Sequence, residues 1–229
     1  MRLSIIIPAL DERANLARLL PELLAREPDA ELIVVDGGST DDSHAVVARV
    51  AGVRWVRSAP GRARQMNAGV AAAHGDVLLF LHADTALPDG AGRAIRAALA
   101  DPAVVAGRFD VRLDSRRPLL RVVAWMMNRR SRLTGISTGD QAIFVRRAVF
   151  DALGGYANIP LMEDVELTRR LKRRGRLAAL PLRVTTSARK WEREGAIRTI
   201  VLMWSLRLCY ALGVAPARLH RWYYGARRD

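Results

Sequence analysis

The chain has 229 residues, half of them hydrophobic, with 17 glycines and 10 prolines, so its composition excludes disordered and fibrous classes. Lysine and arginine exceed aspartate and glutamate by 37 − 23 = 14, which favours an anionic partner such as nucleic acid, acidic lipid or a phosphorylated substrate. An arginine-rich proteome would produce the same excess, so charge alone does not name that partner.

The beginning of the chain predicts a cytoplasmic protein. Its first apolar run is too short for a signal-peptide core and is interrupted by Pro8 and Asp11. The lone cysteine, Cys209, excludes a disulfide within the chain and any cysteine-based zinc cluster, which fits a reducing compartment.

Short hydrophobic runs alternate with helical patterns in the first half of the chain. Strands are predicted at 3–7, 32–35, 53–56 and 77–81, and helices at 15–25, 43–50 and 63–73. This alternation predicts a Rossmann-like, mostly parallel central sheet in an α/β fold, flanked by helices on both faces. In such sheets, ligands bind beyond the carboxyl ends of the strands.

After about residue 110 the alternation changes. A helix is predicted at 119–130, a strand at 142–145 and a charged helix at 163–174, with no flexible linker before them. We therefore divide one domain into halves at 1–110 and 111–195, followed by an amphipathic helical tail at 196–229.

Asp36 follows the second strand directly. An acid at this place can accept hydrogen bonds from a nucleobase or a ribose, while Gly37 and Gly38 allow close approach to the backbone. Ser39 or Thr40 is predicted to cap the next helix. A plain capped turn would explain Ser39 but gives no reason for Asp36, and the glycine motifs of dinucleotide and P-loop sites are absent.

His82 and Asp84 follow the fourth strand, and strand alternation would place both on the same side of the sheet edge. A carboxylate there can hold Mg²⁺ or Mn²⁺ that bridges a diphosphate, because hard cations prefer oxygen ligands. Taken alone, the pattern is equally typical of an acid in a turn.

Four segments in order resemble glycosyltransferase family 2. They read Ile-Ile-Ile-Pro-Ala-Leu-Asp-Glu at 5–12, Val-Val-Asp-Gly-Gly-Ser-Thr-Asp at 34–41, Leu-His-Ala-Asp-Thr at 81–85 and Met-Glu-Asp-Val-Glu-Leu at 162–167. The resemblance covers residues 3–195 and is closest to a subgroup found beside radical-SAM or arsenosugar-type genes. It implies a GT-A fold, a UDP- or GDP-linked sugar donor and a Mn²⁺ or Mg²⁺ cofactor, with the donor bound by the first half and the acceptor by the second.

The resemblance also assigns a donor site and a metal site. The donor nucleotide candidates are Pro8, Leu10, Glu12, Asp36, Ser39, Arg62, Gln65, Asn67 and Ala83. Glu12 is also explained as an acid at a helix start. The metal candidates are Asp84 and His82, although His82 departs from the usual Asp-x-Asp motif of the family.

Glu163 and Asp164 precede a helix, where acids also favour the helix dipole. The resemblance implies that Asp164 is the catalytic base of an inverting single displacement and that Glu163 supports it or binds acceptor. Adjacent helical residues point about 100° apart, so the two carboxylates cannot share one role.

Two further segments are candidates for acceptor or phosphate contacts. Gly139, Asp140 and Gln141 precede a strand, where a turn is the competing explanation. Arg189 and Lys190 offer positive charge for a diphosphate, with solvated surface as the alternative.

The tail from 196 to 215 is apolar, but spanning a membrane would bury Arg207 at a cost of about 2.5–3.5 kcal/mol. The alternatives are an interfacial helix on a membrane, packing on the core and contact with a second subunit in a homodimer. The expected acceptor is a small molecule or a lipid-linked molecule, and no nucleic acid is expected. The competing functions are a non-catalytic basic module for membrane surfaces or nucleic acid, and nucleotidyl transfer.

Overall fold

The computed structural model describes residues 1–225, so the last four residues of the predicted tail lie outside it. The strands are β1 (Leu3–Ala9), β2 (Glu31–Asp36), β3 (Val53–Arg57), β4 (Val77–Phe80), β5 (Thr85–Ala86), β6 (Val104–Asp114), β7 (Ile143–Arg146) and β8 (Arg176–Ser187). The helices are α1 (Arg13–Arg26), α2 (Ser43–Ala48), α3 (Arg62–Ala72), α4 (Ala91–Ala98), α5 (Pro118–Thr134), α6 (Arg147–Ala152), α7 (Glu163–Leu171), α8 (Arg189–Glu194), α9 (Ala196–Ala211) and α10 (Pro216–Gly225), with a short 3-10 helix at Gly139–Gln141.

The described strands form one curled sheet in the order β3-β2-β1-β4-β7-β6-β8-β5. Strands β1 to β4 are parallel, as the alternation of strands and helices predicts. Strand β7 then runs antiparallel between β4 and β6, while β6 and β8 pair in parallel. The carboxyl ends of β1, β2 and β4 therefore meet at one edge, where the β1–α1, β2–α2 and β4–β5 loops lie.

The central strands are hydrophobic on both sides because helices cover both faces of the sheet. On β1, Ile5 and Ile7 face a cluster formed with α1, α2 and α4, whereas Ile6 faces a cluster formed with α3, α6 and α7. Gly69 of α3 lies so close to the sheet that an added Cβ would be 2.4 Å from the Ile6 side chain. This two-sided packing confirms the predicted α/β class.

The predicted strands and helices differ from the observed ones by at most four residues at either end. The predictions missed the strands β5, β6 and β8, of which β6 and β8 are the two longest in the sheet, and the helices α4, α6 and α8. Strand β6 also crosses residue 110, so the expected boundary between the two halves lies within a strand.

The tail forms α9 and α10, and one face of α9 packs on the protein. Leu206 and Leu219 are buried with Met162 and Val165 at the start of α7. No helix within residues 1–225 is long and apolar enough to cross a membrane.

Candidate functional site

The loops after β1 and β2 hold each other through side chains that accept main-chain N–H groups. Asp11 Oδ1 accepts the N–H groups of Thr40 and Asp41 at 2.7 and 3.2 Å, and Ser39 Oγ accepts the Asp11 N–H at 3.0 Å. Asp11 has a left-handed backbone with φ of 55°, which aspartate tolerates better than most residues. Asp36 is buried at the end of β2 and accepts the Ser39 N–H at 2.8 Å.

The helix-capping prediction is wrong. Helix α2 begins at Ser43, and the Ser43 N–H donates to Asp41 Oδ1 at 3.0 Å. Neither Ser39 nor Thr40 therefore caps this helix. Ser43 in turn accepts the N–H of Glu12 at 3.1 Å. The Ser39 hydroxyl instead joins the two loops, which together form a fixed rim around Asp36.

Two of the predicted donor residues, Gln65 and Asn67, use their side-chain amides to hydrogen-bond the main chain. Gln65 is buried, and its Nε2 donates to the carbonyl oxygens of Ala9 at 2.8 Å and Val35 at 2.9 Å, beneath the two loops. Asn67 exchanges two hydrogen bonds of 2.9 Å with the main chain of Tyr156. Both side chains therefore brace the backbone around the predicted donor site.

Other donor candidates lie at the same edge with different degrees of exposure. Pro8 is half-buried near the end of β1, and Leu10 is exposed in the loop that follows. Glu12 is half-buried and accepts a hydrogen bond of 2.5 Å from Asn15 Nδ2. Ala83 is buried in the turn between β4 and β5.

His82 and Asp84 lie in that turn rather than on a strand, because β4 ends at Phe80. The expectation that strand alternation places His82 and Asp84 on the same side of the sheet edge is therefore wrong. His82 Nδ1 is 3.3 Å from Asp140 Oδ1. Its Nε2 lies against Gly139, where an added Cβ would be only 2.5 Å away. The ring is therefore fixed between two residues of the 3-10 helix.

The Asp84 carboxylate fits a metal that is shared with a substrate. Asp84 is half-buried, and its Oδ1 is 3.4 Å from the Thr85 hydroxyl. No group of three or more histidine, cysteine, aspartate or glutamate side chains that could hold a metal occurs among residues 1–225. Mg²⁺ is commonly held by one or two carboxylates together with substrate phosphates and water, so Asp84 suffices as a protein ligand of that kind.

Asp164 and Glu163 open α7 among other charged side chains. Asp164 Oδ2 accepts the Gly139 N–H at 2.8 Å, and its Oδ1 accepts the Val165 N–H at 2.6 Å. Burial raises the pKa of Asp164, with a further contribution from the charge of Asp140. Burial and the charge of Asp164 raise the pKa of Glu163 from 4.5 to about 7. Both carboxyl groups therefore hold a proton more tightly than usual.

Positive side chains face these acids. Burial alone would lower the pKa of Arg62 at the start of α3, but the charges of Glu163 and Asp140 raise it. Burial alone would raise the pKa of Asp140, but hydrogen bonding to His82 and the charges of His82, Arg62 and Lys190 lower it. The surrounding protein partly desolvates both groups, although Arg62 is exposed and Asp140 is half-buried.

The structure places the two basic candidates of α8 differently. Arg189 is exposed, and its N–H and Nε both donate to Ser187 Oγ at 3.2 Å. The Lys190 ammonium lies 4.1 Å from the centre of the Tyr223 ring and donates a hydrogen bond to its hydroxyl. Lys190 thus contacts α10 through Tyr223, and its charge also lowers the pKa of Asp140.

Sequence reasoning missed several residues of this region. Arg130 of α5 has a buried Nη1 without a hydrogen-bond partner, and burial lowers its pKa while Asp164 and Asp140 act to raise it. Tyr223 and Asp11 were also missed. An arginine in an arginine-rich helix and an aspartate in a loop carry no sequence signal that distinguishes them from their neighbours. Gln141 is a predicted site residue, and it is fully buried with an Nε2 that lacks a hydrogen-bond partner.

Comparison with known sequences identifies relatives over different parts of the chain. A family model described as Glycosyl transferase family 2 matches residues 4–154. An uncharacterized protein, MT1568 of Mycobacterium tuberculosis, is 27% identical over 230 residues, which cover 87% of this chain and 72% of the relative. Glucosyl-3-phosphoglycerate synthase of Mycolicibacterium paratuberculosis is 31% identical over 96 residues, covering 38% of this chain and 29% of the enzyme.

Two solved structures share the fold. The mannosyltransferase PcManGT of Pyrobaculum calidifontis, in complex with GDP-Man and Mn²⁺, has a TM-score of 0.68 at 22% identity and covers 100% of this chain and 64% of its own. S. aureus TarS 1–349, in complex with UDP-GlcNAc, has a TM-score of 0.64 at 16% identity and covers 82% of this chain and 58% of its own. The present chain thus spans less than two thirds of the length of either.

Proposed function

The chain belongs to glycosyltransferase family 2, and from this membership we propose that it transfers a sugar, with inversion, from a UDP- or GDP-linked donor to an acceptor hydroxyl. The observation that carries the proposal is the acid pair Glu163–Asp164, whose charges interact with Arg62 and, for Glu163, with His82 of the turn that also bears Asp84. Relatives of the same fold were solved with UDP-GlcNAc or GDP-Man, which supports a nucleotide-sugar donor.

In the proposed mechanism, Asp164 removes the proton from the acceptor hydroxyl as it attacks the anomeric carbon of the donor. A general base works best when its pKa lies near the working pH, and burial moves the pKa of Asp164 in that direction. The Gly139 and Val165 N–H groups fix one lone pair on each carboxylate oxygen, which leaves others for the acceptor. No covalent intermediate on the protein is required.

Glu163 has a supporting role in this proposal. It lies next to Asp164, and each carboxylate disfavours a second negative charge on the other. At neutral pH a Glu163 with a pKa of about 7 retains its proton in part, so it can donate a hydrogen bond to the acceptor. Asp140 and Gln141 border the same space and are proposed to contact the acceptor sugar or alcohol.

The donor nucleotide is proposed to lie on the edge formed by the loops around Asp36. Asp36 would accept hydrogen bonds from the nucleoside, with Pro8, Leu10, Glu12 and Ser39 around it, while Arg62 and Lys190 would face the diphosphate. A Mn²⁺ or Mg²⁺ ion held by Asp84 would supply charge stabilisation for the departing nucleoside diphosphate. His82, fixed by Asp140 and Gly139, would position the turn that bears Asp84.

The remaining parts of the proposal concern partners. We assign donor binding to residues 1–110 and acceptor binding to 111–195, with the acceptor either a small molecule or a lipid-linked molecule. The reducing environment suggested by the lone cysteine is consistent with a reaction in the cytoplasm. A non-catalytic basic module would explain the positive charge, but it gives no reason for a buried acid pair with raised pKa values.

Thermal stabilisation tests the donor and metal parts together. UDP, GDP and UMP are each added with and without Mn²⁺, and one nucleoside diphosphate is expected to raise the melting temperature only when the metal is present. Asp84→Asn should remove the metal-dependent part of this stabilisation. The absence of stabilisation by any nucleotide would overturn the proposal. Where one nucleoside diphosphate does stabilise the protein, product mass spectrometry with a panel of sugar donors identifies the sugar that is transferred.

A further inference from the structure

Helix α9 carries an exposed apolar stripe that faces away from the protein. The stripe consists of Ile197, Val201, Trp204, Leu208 and Leu212, whose exposed fractions are 70%, 60%, 61%, 62% and 76%. The opposite side of α9 is packed, with Thr199 and Leu206 buried. A helix that is apolar on all sides is normally covered on all sides, yet no residue within 1–225 covers this stripe.

Arginines flank the stripe on both sides. Successive helical residues are about 100° apart, so the five stripe residues fall within an arc of roughly 80°. On the same scale, Arg198 and Arg207 lie roughly 80° and 100° from its middle, on opposite sides. Long basic side chains beside an apolar face can extend their charges toward lipid headgroups while the apolar side chains enter the acyl region.

The neighbouring helix α5 also exposes apolar side chains. Helices α5 and α9 pack together through a small cluster that includes Leu120, Val123, Ala196 and Ile200. On its outer side α5 exposes Val122 and Trp125, and the Arg129 guanidinium lies 5.8 Å from the centre of the Trp125 ring. Tryptophan with a nearby arginine suits the boundary between apolar chains and headgroups, because its ring is amphipathic.

The charge of the tail decides between candidate occupants of the surface. The sequence contains no acidic residue between Glu194 and Asp229, whereas α9 and α10 contain Arg198, Arg207, Arg218 and Arg221. Two copies that met through their stripes about a two-fold axis would bring arginines together without acids from this segment to pair with them. A surface with many negative headgroups complements both the apolar stripe and its basic margins.

We propose that the α9 stripe, with the outer face of α5, docks this protein on the surface of an anionic lipid bilayer. Docking would also orient the acid pair Glu163–Asp164 relative to the bilayer. Leu219 of α10 packs with Met162 and Val165 on either side of the acid pair, and Tyr223 contacts Lys190. The surface helices are therefore directly attached to the candidate catalytic site, which favours an acceptor linked to lipid. That last step rests on the proposed glycosyl transfer, whereas the docking itself does not.

Vesicle flotation tests docking with the full chain and three variants. The vesicles contain phosphatidylcholine alone or phosphatidylcholine with phosphatidylglycerol. Trp204→Ser with Leu208→Ser removes the centre of the stripe, and Arg198→Gln with Arg207→Gln removes its charged margins. Leu182→Ser is the matched control, because Leu182 is an exposed leucine of β8 outside the tail. Thermal melting of each variant verifies that it is folded.

The unaltered chain is expected to bind the anionic vesicles about 10-fold more strongly than the neutral ones, with the difference decreasing at high salt. The stripe variant should lose binding by about 10-fold or more, and the arginine variant should lose its preference for anionic vesicles. Leu182→Ser should bind like the unaltered chain.

Failure of the unaltered chain to bind anionic vesicles, or unchanged binding by the stripe variant, would overturn the proposal. So would a dimer, measured by sedimentation velocity, that the stripe variant abolishes, because a second copy would then be the occupant. Nucleotide-dependent stabilisation is measured on the same proteins. If the unaltered chain is stabilised by a nucleotide but does not bind anionic vesicles, docking alone is refuted. If it binds the vesicles but no nucleotide stabilises it, the glycosyl donor site alone is refuted.

Discussion

In the loops after β1 and β2, the carboxylates of Asp11, Asp36 and Asp41 each accept main-chain N–H groups, whereas at the start of α7 Glu163 is buried beside a second acid. Burial acts to raise the pKa of Asp41, but hydrogen bonds from Ser43 and Arg13 lower it. The pKa of Glu163 rises to about 7. In the first region the acids thus hold the backbone, and Asp41 is favoured as an anion. The second region keeps acids whose ionisation is unfavourable and which are therefore suited to proton transfer.

The largest effect should follow from Asp164→Asn in the second region. The amide keeps the shape of the side chain and an oxygen for the Gly139 N–H, but it cannot accept a proton from the acceptor. We expect kcat to fall about 10²–10⁴-fold, the range that a general base contributes. Stabilisation by the nucleoside diphosphate should remain, because Asp164 is not proposed to touch the nucleotide.

Asp151→Asn is the matched control, since Asp151 is an exposed acid of α6 at 3.5 Å from Arg147. It should retain both activity and nucleotide binding. Equal losses of nucleotide binding and transfer in Asp164→Asn would contradict the separation of the two regions.

Gly139→Ala should have the next largest effect. The added Cβ would be 2.5 Å from His82 Nε2, so either the ring or the Gly139 main chain must move. Because the Gly139 N–H is bound to Asp164, we expect kcat to fall about 10-fold and stability to fall by about 1–3 kcal/mol from overpacking. Steady-state kinetics and urea unfolding measure the two effects. Gly225→Ala is the control, because no atom of the described residues 1–225 lies within 4 Å of its added Cβ.

Asp11→Ala tests the first region and should have a smaller effect on catalysis. Alanine removes the acceptor of the Thr40 and Asp41 N–H groups and is strained at a φ of 55°. We expect the KM for the donor to rise several-fold, kcat to change little, and the free energy of unfolding to fall by about 1–3 kcal/mol.

Asp11→Asn is the informative comparison for that prediction. Asparagine keeps an oxygen acceptor and tolerates the left-handed backbone, so it should behave nearly like the unaltered chain. If asparagine were as damaging as alanine, the negative charge of Asp11 rather than its geometry would be the important property.

The sequence predicted the first region better than the second. Strands β1, β2 and β4 each contain a continuous apolar run, and Asp36 directly follows the run of β2, so these strands and the position of this acid could be predicted. The sequence did not predict which contacts hold the loops after β1 and β2 in place. The positive φ of Asp11 and the burial of Gln65 depend on contacts with residues that are 28 and 56 positions away in the sequence.

The missed strands β6 and β8 contain residues that hide a strand pattern. Strand β6 includes Arg108 and Asp110, which are buried as an ion pair completed by Arg132 at 2.8 Å. Strand β8 contains Pro181, which a strand interior normally excludes. The pairing register shifts there, from Phe109 with Leu180 to Asp110 with Arg183, so the proline lies in a bulge.

The smallest effect concerns stability rather than catalysis, and it distinguishes the two regions by pH. The folded chain holds the proton of Glu163 more tightly than the unfolded chain, because its pKa rises from 4.5 to about 7. The free energy of unfolding therefore falls as pH increases through this interval. Glu163→Gln removes the ionisable group, so its melting temperature should exceed that of the unaltered chain at pH 8 by roughly 2–4 °C, which corresponds to about 1 kcal/mol in a chain of this size.

At pH 4 the two proteins should melt alike, because Glu163 is then protonated in both the folded and the unfolded chain and resembles glutamine. Glu22→Gln, at a surface position of α1 that is 3.8 Å from Arg26, should show no such dependence on pH. A Glu163→Gln protein that is no more stable than the unaltered chain at pH 8 would mean that Arg62 already compensates the buried charge. Glu163 would then be a stable anion, as Asp41 is in the first region, and the contrast between the two regions would disappear.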